Sequence, residues 1–359
     1  MEIFAHNIIL AFSAMITAFL ISCVSIVLII RLSRHLELFD APNERKIHTG
    51  EISRLGGIGI FLGFIVSVGF SPFILGLWIR SPFLVYTKIM PRILFIIPTI
   101  LIFIVGLFDD FLHVKARWKL LIQITAAIIV LAAGGRIEAL TIPLVSKTIH
   151  FGIWSWPISF VWIIGVTNAM NLIDGMDGLS ATIGGIAFAV YGLIFLLTNH
   201  FMLSVVSFVL VGTLWGYMMF NFPPARIFMG DSGSLVIGFL LAVLPLVAEP
   251  ESGTIIYTPI TLLIIPIYDV FGAIFRRIRK RVSFTTPDRE HVHHKLLALG
   301  LKERAILMII ASLILLSSIP LVILTIVPFE RIDGYIILYW FLIAGGFLLL
   351  KARFEKKRS

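Results

Sequence analysis

A single cysteine, Cys23, among 359 residues excludes an intrachain disulfide and any thiolate metal cluster. Charge is scarce too. Asp, Glu, Lys and Arg make up 14% of the chain, 59% is hydrophobic, and the mean hydropathy is +1.04. A soluble domain of this length would need a far more polar surface. Acids are scarcer than bases, 20 against 29, which leaves a net charge of +9. Internal repeats, low-complexity tracts and linker-like stretches are missing, so the reading is one polytopic membrane domain over residues 1–359.

What is there instead is a series of apolar runs. A bilayer-crossing helix needs roughly 17–25 apolar residues. About eleven such runs lie near 8–30, 56–77, 91–108, 118–133, 153–170, 179–197, 202–220, 234–248, 255–275, 305–327 and 335–350. The first is too long and too weakly flanked for a cleaved signal peptide. The fold expected is an all-α integral membrane protein of about 11 transmembrane helices. If the loop after the first run is cytoplasmic, alternation puts 23 of the 29 Lys and Arg on that side. The remainder are Arg80, Lys88, Arg92, Arg136, Lys147 and Arg331. That bias predicts the N-terminus outside and the C-terminus in the cytoplasm. Basic charge spread over membrane loops suits anionic lipid head groups and phosphate-bearing substrates, with no nucleic-acid partner.

The scarce acids are not scattered. Asn168 to Leu179 reads NAMNLIDGMDGL, a polar seam between two apolar runs, of which 180–197 carries no charge. Polar groups there need water or a ligand. On one continuous helix Asn168, Asn171 and Asp174 would share an arc of about 120° and Asp177 would lie opposite Asn168. Gly175 and Gly178 argue for a helix presenting the first three, then a turn bringing Asp177 back, with the next helix starting near Leu179.

Asp109 and Asp110 end the third run in GLFDDF, at the negative end of a helix dipole. Their mutual repulsion calls for a cation, either a metal ion or Lys119. Asn221 opens NFPPARIFMGDSGS, where Gly230 to Ser234 would form an anion nest and Asp231 a helix cap or a metal ligand. Asp269, within a run, is expected to be paired or functional. In the long basic loop Thr286 suits an N-cap, Pro287 the first helical position and Gly300 the stop. His291, His294 and Lys295 would share one face of that short helix. Zinc is disfavoured, because neither a cysteine nor a further histidine pair completes a site. The first loop, with Arg45, Lys46, His48 and Arg54 before Gly56 and Gly57, is suited to face a substrate.

Asp109, Asp110, Asp174, Asp177 and Asp231 all lie at the expected cytoplasmic ends of apolar runs. Hard oxygen ligands without thiolate suit Mg²⁺, with Mn²⁺ as the alternative. A divalent ion among basic residues is equipment for phosphoryl or phosphosugar transfer. A secondary transporter would carry its acids near the midplane, where only Asp269 comes close.

Six motifs carry a family resemblance: RKIHTGEISRLGG, GLFDDF, Lys119, NAMNLIDGMDGL, NFPPARIFMGDSGS and PDREHVHH. In order and spacing the chain resembles the polyprenyl-phosphate N-acetylhexosamine-1-phosphate transferases, glycosyltransferase family 4. The resemblance implies transfer of a sugar 1-phosphate from a UDP-sugar to undecaprenyl phosphate with release of UMP. The muramoyl-pentapeptide branch has a His-His-His loop. PDREHVHH looks like the branch that uses UDP-GlcNAc to begin teichoic acid, O-antigen or a related glycan.

By the same resemblance Asp231 coordinates Mg²⁺, Asp109 is the base on the lipid phosphate, Asp110 positions it and Lys119 neutralises phosphate charge. Asn168, Asn171, Asp174 and Asp177 bind nucleotide and sugar phosphate. Arg289, His291, His293 and His294 contact the donor, and His48 and Asn221 are placed on the substrate side. A plasma-membrane location, an active site facing the cytoplasm, membrane lipids as partners and a homodimer are further implications. A phosphate monoester loses its second proton with a pKa of about 6, so the acceptor is mostly dianionic at pH 7. Direct one-step attack is therefore expected, with a phospho-aspartyl route as the alternative.

Overall fold

A computed structural model describes residues 2–38, 52–78, 95–142, 147–248, 257–282, 290–323, 325–327 and 333–358. His48, Arg289 and the expected helix start at Thr286 and Pro287 lie outside the described residues. The helices in chain order are α1 (Glu2–His35), α2 (Gly56–Trp78), α3 (Ile96–Leu112), α4 (Ala116–Ala132), α5 (Ser155–Ile173), α6 (Leu179–Leu197) and α7 (Phe201–Asn221). They continue as α8 (Gly230–Val247), α9 (Tyr257–Leu262), α10 (Ile264–Lys280), α11 (Val292–Ala298), α12 (Glu303–Ile323) and α13 (Asp333–Arg358).

Where they lie within the described residues, the expected runs fall on helices. Among the described residues, seven helices are long and apolar enough to cross a membrane: α1, α5, α6, α7, α8, α12 and α13. The ninth run is broken at Leu263 into α9 and α10. Pro266 accounts for the break, since it lacks an N–H and its ring clashes with the carbonyl four residues back, that of Leu262. The basic end of α10 stops at Arg281 in a left-handed conformation, φ 52°.

A helix apolar on all sides is buried, whereas one with a single buried face shows the other to lipid. α8 is the inner case, with 83% of its spanning window buried against 18% for α13. It packs on α3, α5 and α2. α7 packs on α6 and α1, and α1 presents Ile9, Phe12, Ile16, Leu20, Val24 and Leu28 outward.

The all-α expectation missed one feature. Ala139–Ile142 (β1) and Lys147–His150 (β2) pair antiparallel, with Leu140 opposite Ile149 and Thr141 opposite Thr148. Thr141, Ile142, Thr148 and Ile149 are β-branched, which favours the pleated conformation. A four-residue strand is too short to leave a strong periodic signal.

One close approach sets the position of the functional end. A Cβ on Gly106 of α3 would lie 2.6 Å from Ser232 Cα and 2.7 Å from Asp231 O, both on α8. The bare glycine lets the two helices meet backbone to backbone. Gly106→Val is expected to cost about 1–3 kcal/mol through overpacking. The check is a lower thermal midpoint in detergent than that of Gly165→Val, a site where an added Cβ meets nothing within 4 Å.

Candidate active site

The site begins with a compensation between two helix ends. α3 ends in Asp109, Asp110, Phe111 and Leu112, and the first backbone N–H groups of α8 have no partner within their own helix. Asp110 supplies it. Its Oδ1 accepts Asp231 N–H at 2.7 Å, and its Oδ2 accepts Ser232 N–H at 3.0 Å and Ser232 Oγ–H at 2.6 Å. The negative charge thus sits on the positive end of the α8 dipole. The expected backbone anion nest thus holds the Asp110 carboxylate.

Asp109 has a different partner. Lys119, in the first turn of α4, places Nζ 2.9 Å from Asp109 Oδ2 and 2.8 Å from Asp231 Oδ2. Lys119, one of the two cations the sequence offered for the Asp109–Asp110 pair, is thus in contact with Asp109. Asn171 donates Nδ2–H to Ser234 Oγ at 2.9 Å, one turn further into α8. Asn168 donates to Gln123 Oε1 at 2.6 Å and to Ile164 O at 2.8 Å.

The polar seam divides as its glycines suggest. α5 ends at Ile173, Asp174 follows as its C-cap, and α6 begins at Leu179 after Gly178, whose φ is +73°. Three loops are then laced together. Asp177 Oδ2 accepts Ala225 N–H at 2.9 Å, and Asn221 accepts Gly178 N–H while donating to Ile227 O, both at 2.8 Å. Phe228 N–H donates to Ser53 O, and Gly56 and Gly57 N–H donate to Phe228 O and Met229 O. Arg304 of α12 donates twice to Pro223 O, at 3.1 and 2.8 Å, and stacks over Phe222.

Asp174 stands apart. Among the described residues it makes no hydrogen bond. Its carboxyl is pushed up to about 8, by burial first and then by the negative charges of Asp231, Asp110 and Asp177, with Arg54 pulling the other way.

The histidines form a second group. His291 donates Nδ1–H to Asp269 Oδ2 at 2.7 Å, and Val292 N–H donates to Asp269 Oδ1 at 3.0 Å. One buried carboxylate on α10 thus caps α11 and orients the imidazole, leaving Nε2 for a ligand. α11 starts at Val292 with His291 as N-cap, later than the expected Thr286, and Gly300 ends it with φ +97°. The rings of His293 and His294 lie 4.2 Å apart. His293 is 1% exposed, and neither of its ring nitrogens has a partner among the described residues. It lies against the 174–178 turn, where a Cβ on Gly175 would be 2.9 Å from Nε2.

The oxygen donors at the head of α8 suit a hard cation. Among the described residues, the charges that act on these carboxylates include the cations Lys119 and Arg54. Among the described residues, no three His, Cys, Asp or Glu side chains are gathered in metal-ligating geometry. Asp231 and Asp174 are the acids that would hold such an ion, since Asp110 is committed to the α8 backbone.

Residues 92–249 match the model of glycosyl transferase family 4. A Bacillus subtilis protein named "Probable undecaprenyl-phosphate N-acetylglucosaminyl 1-phosphate transferase" is 31% identical over 315 residues, covering 86% of this chain and 84% of that protein. The chain belongs to glycosyl transferase family 4, the polyprenyl-phosphate hexosamine-1-phosphate transferases. A Mycobacterium leprae decaprenyl-phosphate N-acetylglucosaminephosphotransferase is 32% identical over 303 residues, 78% of this chain and 75% of its own. A phospho-N-acetylmuramoyl-pentapeptide-transferase of Halalkalibacterium halodurans is 33% identical over 223 residues, 59% and 65% of the two chains.

In this family 4 chain the sequence-derived residues fall into two sets. Asp109, Asp110, Lys119, Asn171 and Asp231 are joined around the head of α8. His291, His293 and His294 cluster on α11, with His293 against the turn that carries Asp174 and Asp177. Asn168, Asp177 and Asn221 spend side-chain hydrogen bonds on the protein itself. Asp269, expected to be paired or functional, is paired with His291, and Ser232 and Ser234 come from the stretch expected to form a nest, whereas Gln123 was not among the sequence candidates. Gln123 could have been found as the lone amide in an apolar run, one turn beyond Lys119.

Burial, and then the charges of His294 and His291, push the His293 imidazole down to about 3 from an ordinary 6.5, while Asp269 pulls the other way. Its folded value is the lower one, so the unfolded chain takes up this proton first as pH falls. Stability is therefore lost below about 6.5, by about 2 kcal/mol between pH 7 and pH 5. His293→Gln is expected to flatten that part of the acid side of a stability–pH curve, measured as thermal midpoints in detergent.

Proposed function

We propose that the chain transfers N-acetylglucosamine 1-phosphate from UDP-N-acetylglucosamine to undecaprenyl phosphate and releases UMP. This would be the first membrane step of a cell-envelope glycan such as teichoic acid or O-antigen. The observation that carries the reading is the Asp109–Lys119–Asp231 contact at the head of α8, in a chain that aligns with the Bacillus protein over 86% of its length. The excess of Lys and Arg on one set of loops supports a plasma-membrane enzyme whose site faces the cytoplasm, where nucleotide sugars are made.

In this reaction an oxygen of the lipid phosphate attacks the β-phosphorus of the UDP-sugar. The new P–O bond joins the two phosphates, and the bond from the β-phosphorus to the bridging oxygen breaks. The electron pair leaves with UMP. Asp109 takes the remaining acceptor proton when the phosphate arrives as a monoanion. Lys119 offsets charge on the diphosphate. Asp110 acts through geometry, because it fixes the first turn of α8 and with it Asp231. Asn171 and the 174–178 turn line the donor's side, and α11 presents His291 and His294 to the nucleotide sugar. Asp231, with Asp174 beside it, would hold a Mg²⁺ ion that neutralises the donor's phosphates.

The second reading differs only in the sugar. Identity of 33% to a muramoyl-pentapeptide transferase favours UDP-MurNAc-pentapeptide. The EHVHH run, without three consecutive histidines, favours UDP-GlcNAc. The deciding assay is UMP release by the purified protein with undecaprenyl phosphate, Mg²⁺ and a panel of UDP-sugars. Release with UDP-GlcNAc is expected, and release only with the pentapeptide donor would sink the sugar assignment. Asp110→Asn is expected to lower kcat by about 10²-fold with little change in donor KM, as for a group that positions the reacting centre. Asp231→Asn is expected to remove the Mg²⁺-dependent rate.

A further inference from the structure

Lys119 occupies an unusual place for a residue whose work is to meet a phosphate. Its ammonium lies 2.9 Å from Asp109 Oδ2 and 2.8 Å from Asp231 Oδ2. One monovalent cation is thus shared by two acids, with Asp110 and Asp174 close behind. The Asp231 oxygen it covers is the donor that a divalent ion would need. Both side chains keep about a quarter of their surface exposed, 23% for Lys119 and 26% for Asp231, so the ammonium has a way out. Lys119 also stands in the first turn of α4, beside the exposed Trp118, on a flexible four-carbon stem.

We propose that Lys119 is a tethered stand-in for the metal: its ammonium closes the Asp109–Asp231 position until a divalent cation displaces it, and the displaced ammonium then meets the substrate phosphates. The inference rests on the reading of Asp231 as the metal ligand. Its physical basis is competition for the same oxygens. If the lysine-closed arrangement is about 90% populated, the apparent metal affinity is about tenfold below the intrinsic one. A divalent ion replaces one positive charge by two at a site short of positive charge and frees the lysine as well. Metal binding and readiness for the donor phosphates become one event. At a metal-free site the lysine is then mostly held away from the diphosphate.

The test uses the full chain, metal-stripped, without donor or lipid, and Mn²⁺ as the probe. Binding is read from loss of the free Mn²⁺ signal by electron paramagnetic resonance. Lys119→Met and Lys119→Gln are expected to bind Mn²⁺ about tenfold tighter than the wild type. Asp231→Asn should abolish the binding and so locate it. A second measurement needs no lysine variant. Adding Mg²⁺ to the wild type should raise acetylation of Lys119 several-fold, read by mass spectrometry of its peptide, and should leave its labelling unchanged in Asp231→Asn.

The outcomes separate the two readings. Mn²⁺ binding in neither the wild type nor the lysine variants overturns the metal site itself. Binding that Asp231→Asn removes, but that the lysine substitutions leave unchanged or weaken, overturns the stand-in and leaves the metal site in place. Lys119 labelling that stays flat or falls with Mg²⁺ in the wild type overturns it as well, even if the variants do not fold.

Discussion

The head of α8 is where the physical problem of this protein is solved. A helix that deeply buried has several N–H groups to satisfy at its start, in surroundings that offer little water. Asp110 satisfies two of them and the Ser232 hydroxyl at once, from the end of another helix. The same contact relieves a second difficulty, since a carboxylate at the C-terminal end of α3 opposes that helix's own dipole. Two unfavourable ends become favourable by meeting. Everything chemical in the site is then referenced to this joint, because Asp231, Ser232 and Ser234 are its first residues.

Around the joint the chain builds a braced platform and a suspended part. The 174–178 turn, the 222–229 loop and residues 53–57 are tied by backbone and Asn–Asp hydrogen bonds, and Arg304 fastens the middle loop to α12. α11 is held differently, by one Asp269 carboxylate that takes His291 and Val292 together. His293 brings it against the turn at Gly175.

Much of this was legible in the sequence, for a definite reason. Apolar runs long enough for helices announce themselves by length, and a rare carboxylate among them announces a need for a partner. Asp109, Asp110, Asp174 and Asp231 were therefore visible as a group, as was the turn at the glycines of 174–178. Which partner each acid takes is decided by tertiary approach, which no spacing encodes. The α8 backbone as the partner of Asp110 was hidden for that reason, and so was Asp269 as the partner of His291. The β1–β2 hairpin was hidden for another, since four-residue strands fall below the length at which alternation can be recognised. Pro266 was in plain view, yet the break it causes in α9–α10 shows only when the missing N–H is counted against Leu262.

The Asp269 attachment also makes α11 a cassette. Its N-terminus hangs on the Asp269 carboxylate two turns before the basic end of α10, and the hydrogen bonds of that attachment do not involve Asp109, Lys119 or Asp231. In the proposed reaction this separates the part that distinguishes one sugar from another from the part that moves phosphorus. A lineage could exchange the cassette, and with it the donor, while inheriting the α8 joint untouched.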